Sequence, residues 1–184
     1  MATSLAAAPI HQALQQMAAF RGISEPDANQ LAAACKLVRL PMNTQLFDQG
    51  EPGTSMAIVA DGVLRVEFTD PDTGQMTSIG NAQSGEFVGE MALLDTEPRS
   101  ARVVSATDSV VYVITQERLA ALEATAPGAA CALIGAITRN LTRRVRKIDY
   151  HAGQIYKQTA PPPVTEAGED KSVVGKLWAR ITRF

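Results

Sequence analysis

Residues 36–115 turn too often to hold long elements. Runs rich in valine, isoleucine and threonine are cut at short intervals by Pro41, Gly50, Pro52, Asp61-Gly62, Asp70-Pro71 and Gly85. Proline has no amide to give a strand ladder and glycine reaches positive φ, so each of these ends or bends a strand. Short apolar runs at this spacing signify a sandwich or barrel of antiparallel strands. About eight strands fit the span, which predicts a mainly β fold with flanking helices: an eight-stranded jelly-roll β-barrel.

The flanks have a different period. A helix is expected near residues 10–20 and a second after Ser24, which serves as N-cap with Pro26 in the first turn and Asp27 three residues on, as in a capping box. Beyond residue 115 a short helix is expected over 116–124, a break at Pro127-Gly128, and a long helix over about 129–151. The resulting division is N-terminal helices in 1–35, the barrel in 36–115, a hinge and long dimerisation helix in 116–152, a proline-rich linker in 153–170 and a basic amphipathic tail in 171–184. At 184 residues and 46% apolar content the chain can bury one core of ordinary size, with little left for a second globular unit.

The densest chemistry lies in residues 85–104, GEFVGEMALLDTEPRSARVV. Gly89 lets the main chain approach a ligand closely, and the stretch from Glu90 to Leu94 is long enough for one helical turn, whose first amides have no partner inside the helix. Such amides suit an anion. Arg99, nine residues after Glu90, presents a planar fork of donors matched to two phosphate oxygens, whereas the Glu90 carboxylate only accepts and so suits a sugar hydroxyl. A ribose cyclic phosphate carries both groups compactly. The plainer alternative is that Glu90 and Arg99 pair with each other as a buried acid and base.

This segment resembles the phosphate-binding cassette of the cyclic-nucleotide-binding domain family, in the form of a catabolite-activator-like sensor domain without a DNA-binding domain. The family's Phe-x-Gly-Glu-x-Ala/Ser-Leu-Leu appears as Phe87, Gly89, Glu90, Ala92, Leu93 and Leu94, and its Pro-Arg-Ser/Thr-Ala as Pro98, Arg99, Ser100 and Ala101. Upstream, LFDQGEPGTSMAIVADGVLRV is similar to the family's early strands, with Gly50 and Gly62 at the turns; the resemblance covers roughly residues 10–150. It implies that Glu90 holds the ribose 2'-hydroxyl, that Arg99 pairs with a phosphate oxygen, and that backbone amides near Met91 and Ser100 complete the cage beside a small Ala101. Gly89, Ala92 and Ile79 join the ligand-binding set it suggests. A threonine at the Ser100 position is associated with cyclic GMP and a smaller residue with cyclic AMP, so cyclic AMP is the expected ligand and cyclic GMP the alternative. No metal or further cofactor is expected.

The long helix carries Leu133, Ile134, Ile137, Leu141, Val145 and Ile148 at spacings of three and four, a stripe that can zip two copies into a homodimer or pack on its own barrel. Its other face holds Arg139, Arg143, Arg144, Arg146 and Lys147, most of them expected to be solvated. In the family this helix folds over the base; the base-contacting threonine and serine of one relative align here with Arg144 and Val145, which weakens any transfer of base selectivity. Arg143 and Arg144 are the candidates for stacking on the purine or bonding its edge.

Charge is divided unevenly. Residues 1–138 hold 7 Lys and Arg against 15 Asp and Glu, and residues 139–184 hold 10 against 4, so a net −8 faces a net +6. The terminal KSVVGKLWARITRF places Val174, Leu177, Trp178, Ile181 and Phe184 on one helical face and Lys176, Arg180 and Arg183 mainly on another. Three readings fit: docking in an unknown protein partner's groove, weak contact with an anionic membrane surface, or folding back on the barrel.

Other classes are disfavoured. Cys35 and Cys131 lack metal or disulfide-framework spacing, which suits a reducing compartment, and no secretory leader or membrane span is apparent. A cytoplasmic protein is expected, with peripheral contact at the inner membrane face as an option. About thirty residues follow His151, fewer than a helix-turn-helix domain needs, so direct DNA binding is not expected. His11 and His151 stand isolated and no nucleophile, phosphate-loop or metal motif occurs, so an enzyme is not expected. The function expected is a stand-alone cyclic-nucleotide sensor; the alternative is a ligand-independent adaptor that uses the barrel as scaffold.

Overall fold

The computed structural model describes residues 8–95 and 97–159. Eight strands are present among the described residues: β1 (Lys36–Leu40), β2 (Gln45–Phe47), β3 (Ser55–Asp61), β4 (Val63–Thr69), β5 (Met76–Gln83), β6 (Phe87–Val88), β7 (Arg102–Ser105) and β8 (Ser109–Thr115). They form two four-stranded antiparallel sheets, in the orders β1-β8-β3-β6 and β2-β7-β4-β5. The jelly-roll strand content is as the sequence predicts, but the sheets are not closed into a barrel. Each keeps two outer strands with no partner in the other sheet, so the body is a sandwich.

The two sheets are buried differently, and the strand sequences show why. β3 and β8, SMAIVAD and SVVYVIT, are nearly continuous apolar runs, and both faces of their sheet are covered. Met56, Ile58, Ala60, Tyr112 and Ile114 pack against the helices, while Ala57, Val59 and Val111 face the second sheet. The second sheet is covered on its inner face alone, and its edge strand β5 is exposed at all but Ala82.

Among the described residues five α-helices accompany the strands: α1 (Ile10–Gln16), α2 (Glu25–Ala34), α3 (Glu90–Asp95), α4 (Gln116–Thr125) and α5 (Pro127–Thr159). The first expected helix is cut short by an extended Met17 and continues as a 3-10 turn over Ala18–Phe20. Ser24 caps α2 as expected, its Oγ accepting from the Asp27 amide at 3.2 Å. Asp27 accepts from the Ser24 hydroxyl at 2.6 Å, so the Asp27 half of the box closes on the side chain. α5 begins at Pro127, where a break was expected, because proline fits the first helical position, whose amide would be unpaired in any case.

The chain divides into two compact units, Met1–Val145 and Arg146–Phe184. The first contains both sheets, helices α1 to α4 and α5 as far as Val145. Within it Leu133, Ala136 and Ile137 of α5 are buried in the helix-side core, Leu141 is half-buried, and Ile134 and Val145 are exposed. The described part of the second unit is the remainder of α5. The expected tail at 171–184 and the prolines of the expected linker lie outside the described residues.

Candidate functional site

At one end of the inter-sheet core a cavity of about 320 Å³ opens beside α3. Phe47 of β2, Val66 of β4, Val88 of β6 and Val103 of β7 form its apolar wall, and Gly89 to Ala92 together with Pro98 to Ala101 form its polar rim. Gly89 makes the turn from β6 into α3 with φ +75. A Cβ there would lie 2.5 Å from Arg99 Nη1 and 2.8 Å from the Phe47 ring, so the position needs glycine both for its backbone and for the packing of the arginine.

Arg99 is 5% exposed. Its Nη1 donates to the Gly89 carbonyl at 3.0 Å and its Nη2 to Ser55 Oγ at 3.2 Å, with the guanidinium carbon 3.7 Å from the Phe47 ring centre. Among the described residues the nearest carboxylate oxygen, Glu51 Oε1, lies 3.6 Å from Nε, and that buried N–H has no hydrogen-bond acceptor. Burial pushes the arginine's pKa down, while Glu51 and then Glu90 oppose the shift. The backbone of Arg99 is pinned to the preceding turn, its amide donating to the Glu51 carbonyl and its carbonyl accepting from the Gly50 amide, each at 2.9 Å. A fixed cation with unused donor capacity therefore faces the cavity.

Glu90 is 1% exposed. Its Oε1 accepts from Arg144 Nη1 at 2.6 Å, and Arg144 Nη2 donates to the Phe87 carbonyl, also at 2.6 Å. Burial raises the carboxyl's pKa above the usual range; Arg144, its own amide and Arg99 act against that rise. No hydrogen bond or ion pair joins Glu90 to Arg99, so the plainer pairing considered from sequence is not the arrangement found.

Of the ten residues singled out in the sequence, Gly89, Glu90, Met91, Ala92, Arg99, Ser100, Ala101 and Arg144 line this cavity. Ile79 and Arg143 do not. Ile79 sits on edge strand β5, 58% exposed, where β4 pairs Val66 with Gly80 and Glu67 with Ser78 and leaves Ile79 as the extra residue of a bulge. Arg143 borders a separate cleft with Met17, Ala18 and Ser84 to Glu86, because one step along a helix turns the side chain by about 100°. Arg139 is also engaged, bonding the Ala19 carbonyl at 2.8 Å. Sequence reasoning missed Phe47, Ser55 and Glu51; the pairing of β2 with β7, the pairing of β3 with β6 and the Gly50-to-Arg99 clamp bring them to the arginine.

The profile of the family described as the cyclic nucleotide-binding domain matches residues 37–125. The cyclic AMP receptor protein of Thermus thermophilus is 31% identical over 131 residues, which span 71% of this chain and 60% of that protein. The cAMP-dependent protein kinase regulatory subunit of Aspergillus fumigatus is 27% identical over 95 residues, 52% of this chain and 22% of the subunit. The chain thus spans less than two thirds of either relative. Among solved structures, a cyclic nucleotide-binding domain from Methylobacillus flagellatus superimposes with a TM-score of 0.67 at 23% identity, covering 87% of this chain and 85% of that one, a likeness of fold.

Proposed function

Residues 37–125 make this chain a member of the cyclic nucleotide-binding domain family, and on that premise we propose that the protein is a cyclic AMP sensor that signals through its C-terminal helix and tail. One observation carries the reading. A buried carboxylate and a buried guanidinium, Glu90 and Arg99, face the same 320 Å³ cavity without being spent on each other. Small-molecule sites typically occupy about 300–1,000 Å³, so the space suits one compact ligand. Arg99 supplies the phosphate contact and Glu90 the ribose contact; the first-turn amides of α3 and the small side chains of Ser100 and Ala101 close the rim. Serine at 100 favours cyclic AMP over cyclic GMP.

The ligand is bound, not transformed. Similarity to a cyclic AMP receptor protein and to a protein kinase regulatory subunit supports binding over turnover. For output, the exposed Ile134 and Val145 on α5 favour a homodimer, and the basic tail is the surface offered to a protein partner or, weakly, to an anionic membrane. This reading sets the protein in the cytoplasm. No helix among the described residues is long and apolar enough to cross a membrane. Binding can signal only if it prefers one arrangement of the helix.

A ligand-independent adaptor is the second reading, and the bond from Arg144 to Glu90 favours it because the carboxylate already has a protein partner. Thermal melting with and without cyclic nucleotides separates the two. A sensor saturated at a hundredfold excess over Kd gains about 2.7 kcal/mol, a rise of roughly 5–10 °C for a chain of this size. Unchanged melting with cyclic AMP, cyclic GMP and cyclic CMP rejects the sensor.

A further inference from the structure

We infer that Arg144 is a positioning residue: from α5 it clamps the Glu90 carboxylate through one oxygen and leaves the other for the ligand's hydroxyl, so the helix is a built part of the sugar site. The inference rests on the cyclic-nucleotide reading for the identity of that hydroxyl, but the clamp itself can be tested with no ligand present.

Two bonds define the clamp. Arg144 Nη1 meets Glu90 Oε1 and Nη2 meets the Phe87 carbonyl, both at 2.6 Å, so one planar guanidinium spans the turn in which strand β6 becomes helix α3. The two acceptors are three residues apart in sequence, and a side chain bonded to both fixes the turn as well as the carboxylate. Among the described residues Arg144 is the side-chain donor to Glu90, and it bonds Oε1 alone. A hydroxyl arriving from the cavity can therefore donate to Oε2 while Arg144 stays in place.

Displacing Arg144 would leave a carboxylate that is 1% exposed with no bonded cation, and only the unbonded Arg99 to offset its charge. The other charged groups around the cavity do not replace it. Arg99 is directed at Gly89, Ser55 and Glu51, and the remaining lining charges, Asp95 and Glu97, are acidic. A 2'-hydroxyl is neutral and brings no positive charge of its own, so ligand and arginine are expected to share the glutamate. In this arrangement Arg144 acts through Glu90, which is a different role from contact with the base.

The test compares the full-length chain with Arg144→Gln, which keeps a hydrogen-bonding amide but loses the charge, and Arg144→Lys, which keeps the charge but not the fork. The Glu90 carboxyl is followed by carbon-13 NMR in the ligand-free proteins and assigned by difference from Glu90→Gln. Its titration should move to higher pH in Arg144→Gln and stay near wild type in Arg144→Lys. Calorimetry with cyclic AMP should then show affinity falling about tenfold on acidification, with the fall beginning at higher pH in Arg144→Gln than in wild type. An unmoved Glu90 titration in Arg144→Gln overturns the inference, as does an affinity loss equal at every pH. If wild type binds no cyclic nucleotide, the sensor reading fails and the NMR titration still decides the clamp.

Discussion

The described residues form two apolar cores on opposite faces of the same sheet, and they differ in what they admit. The helix-side core, which includes Phe20, Leu31, Met56, Ile58, Tyr112, Leu133 and Ile137, is closed and almost wholly apolar. The inter-sheet core of Leu40, Phe47, Val59, Leu64, Val88, Val103 and Val111 ends in the cavity. There two charged side chains are buried that contribute nothing to hydrophobic cohesion. The contrast separates two duties: the first core holds the fold together, and the second accepts the desolvation of Arg99 and Glu90, which the proposed function explains as the cost of a ready ligand site.

The largest effects should fall on opposite sides of this division. Phe20 is 1% exposed and meets Phe87 edge-on at 5.8 Å, so Phe20→Ala should cost about 3–5 kcal/mol in chemical denaturation, with ligand affinity preserved in the fraction that remains folded. Arg99→Ala should behave in reverse. Its expected loss is about 2–5 kcal/mol of nucleotide affinity, with a far smaller change in unfolding free energy. If both substitutions lowered stability equally, the division would be wrong.

Gly89→Ala is next in size, because it strains a φ of +75 and drives a methyl group onto Arg99. Backbone strain of this kind costs about 1–3 kcal/mol, and calorimetry should show the affinity falling together with the melting temperature. Glu90 gives a smaller effect with a definite sign. Its folded pKa lies above its unfolded value of 4.5, so the folded state holds the proton more tightly. Stability from this group is fully present below pH 4.5 and is lost as pH rises through the folded pKa. Glu90→Gln should remove that component from a denaturation series run between pH 4.5 and 7; an identical pH profile would deny that the carboxyl is desolvated. The smallest effect belongs to Ile79→Ser, which should stay within about 0.5 kcal/mol in stability and leave affinity unchanged, since the side chain is exposed on a bulge away from the cavity.

Much of this architecture can be read locally. Turn residues at short intervals mark eight strands, Ser24 marks a helix start, and the run from Phe87 to Ala101 places the acid, the arginine and the glycine of the site on consecutive pieces of chain. What escaped was set at long range. Strand composition does not say whether the outer strands of two sheets pair, and here they do not. Periodicity cannot choose between Arg143 and Arg144, which lie one helical step apart yet face different clefts. Nor does any local signal show that Phe47 and Ser55 pack on Arg99, about fifty and forty residues downstream of them, because sheet register decides that. The bulge at Ile79 is of the same kind, since one extra residue in an edge strand reverses the face of a side chain.

Arg99 is the proposed anchor of an anionic ligand. Calorimetric titration of cyclic AMP into the full-length chain and into Arg99→Ala tests it. The prediction is saturable binding at one site per chain in wild type and an affinity at least about thirtyfold weaker in the variant. Equal affinity in the two proteins would contradict it.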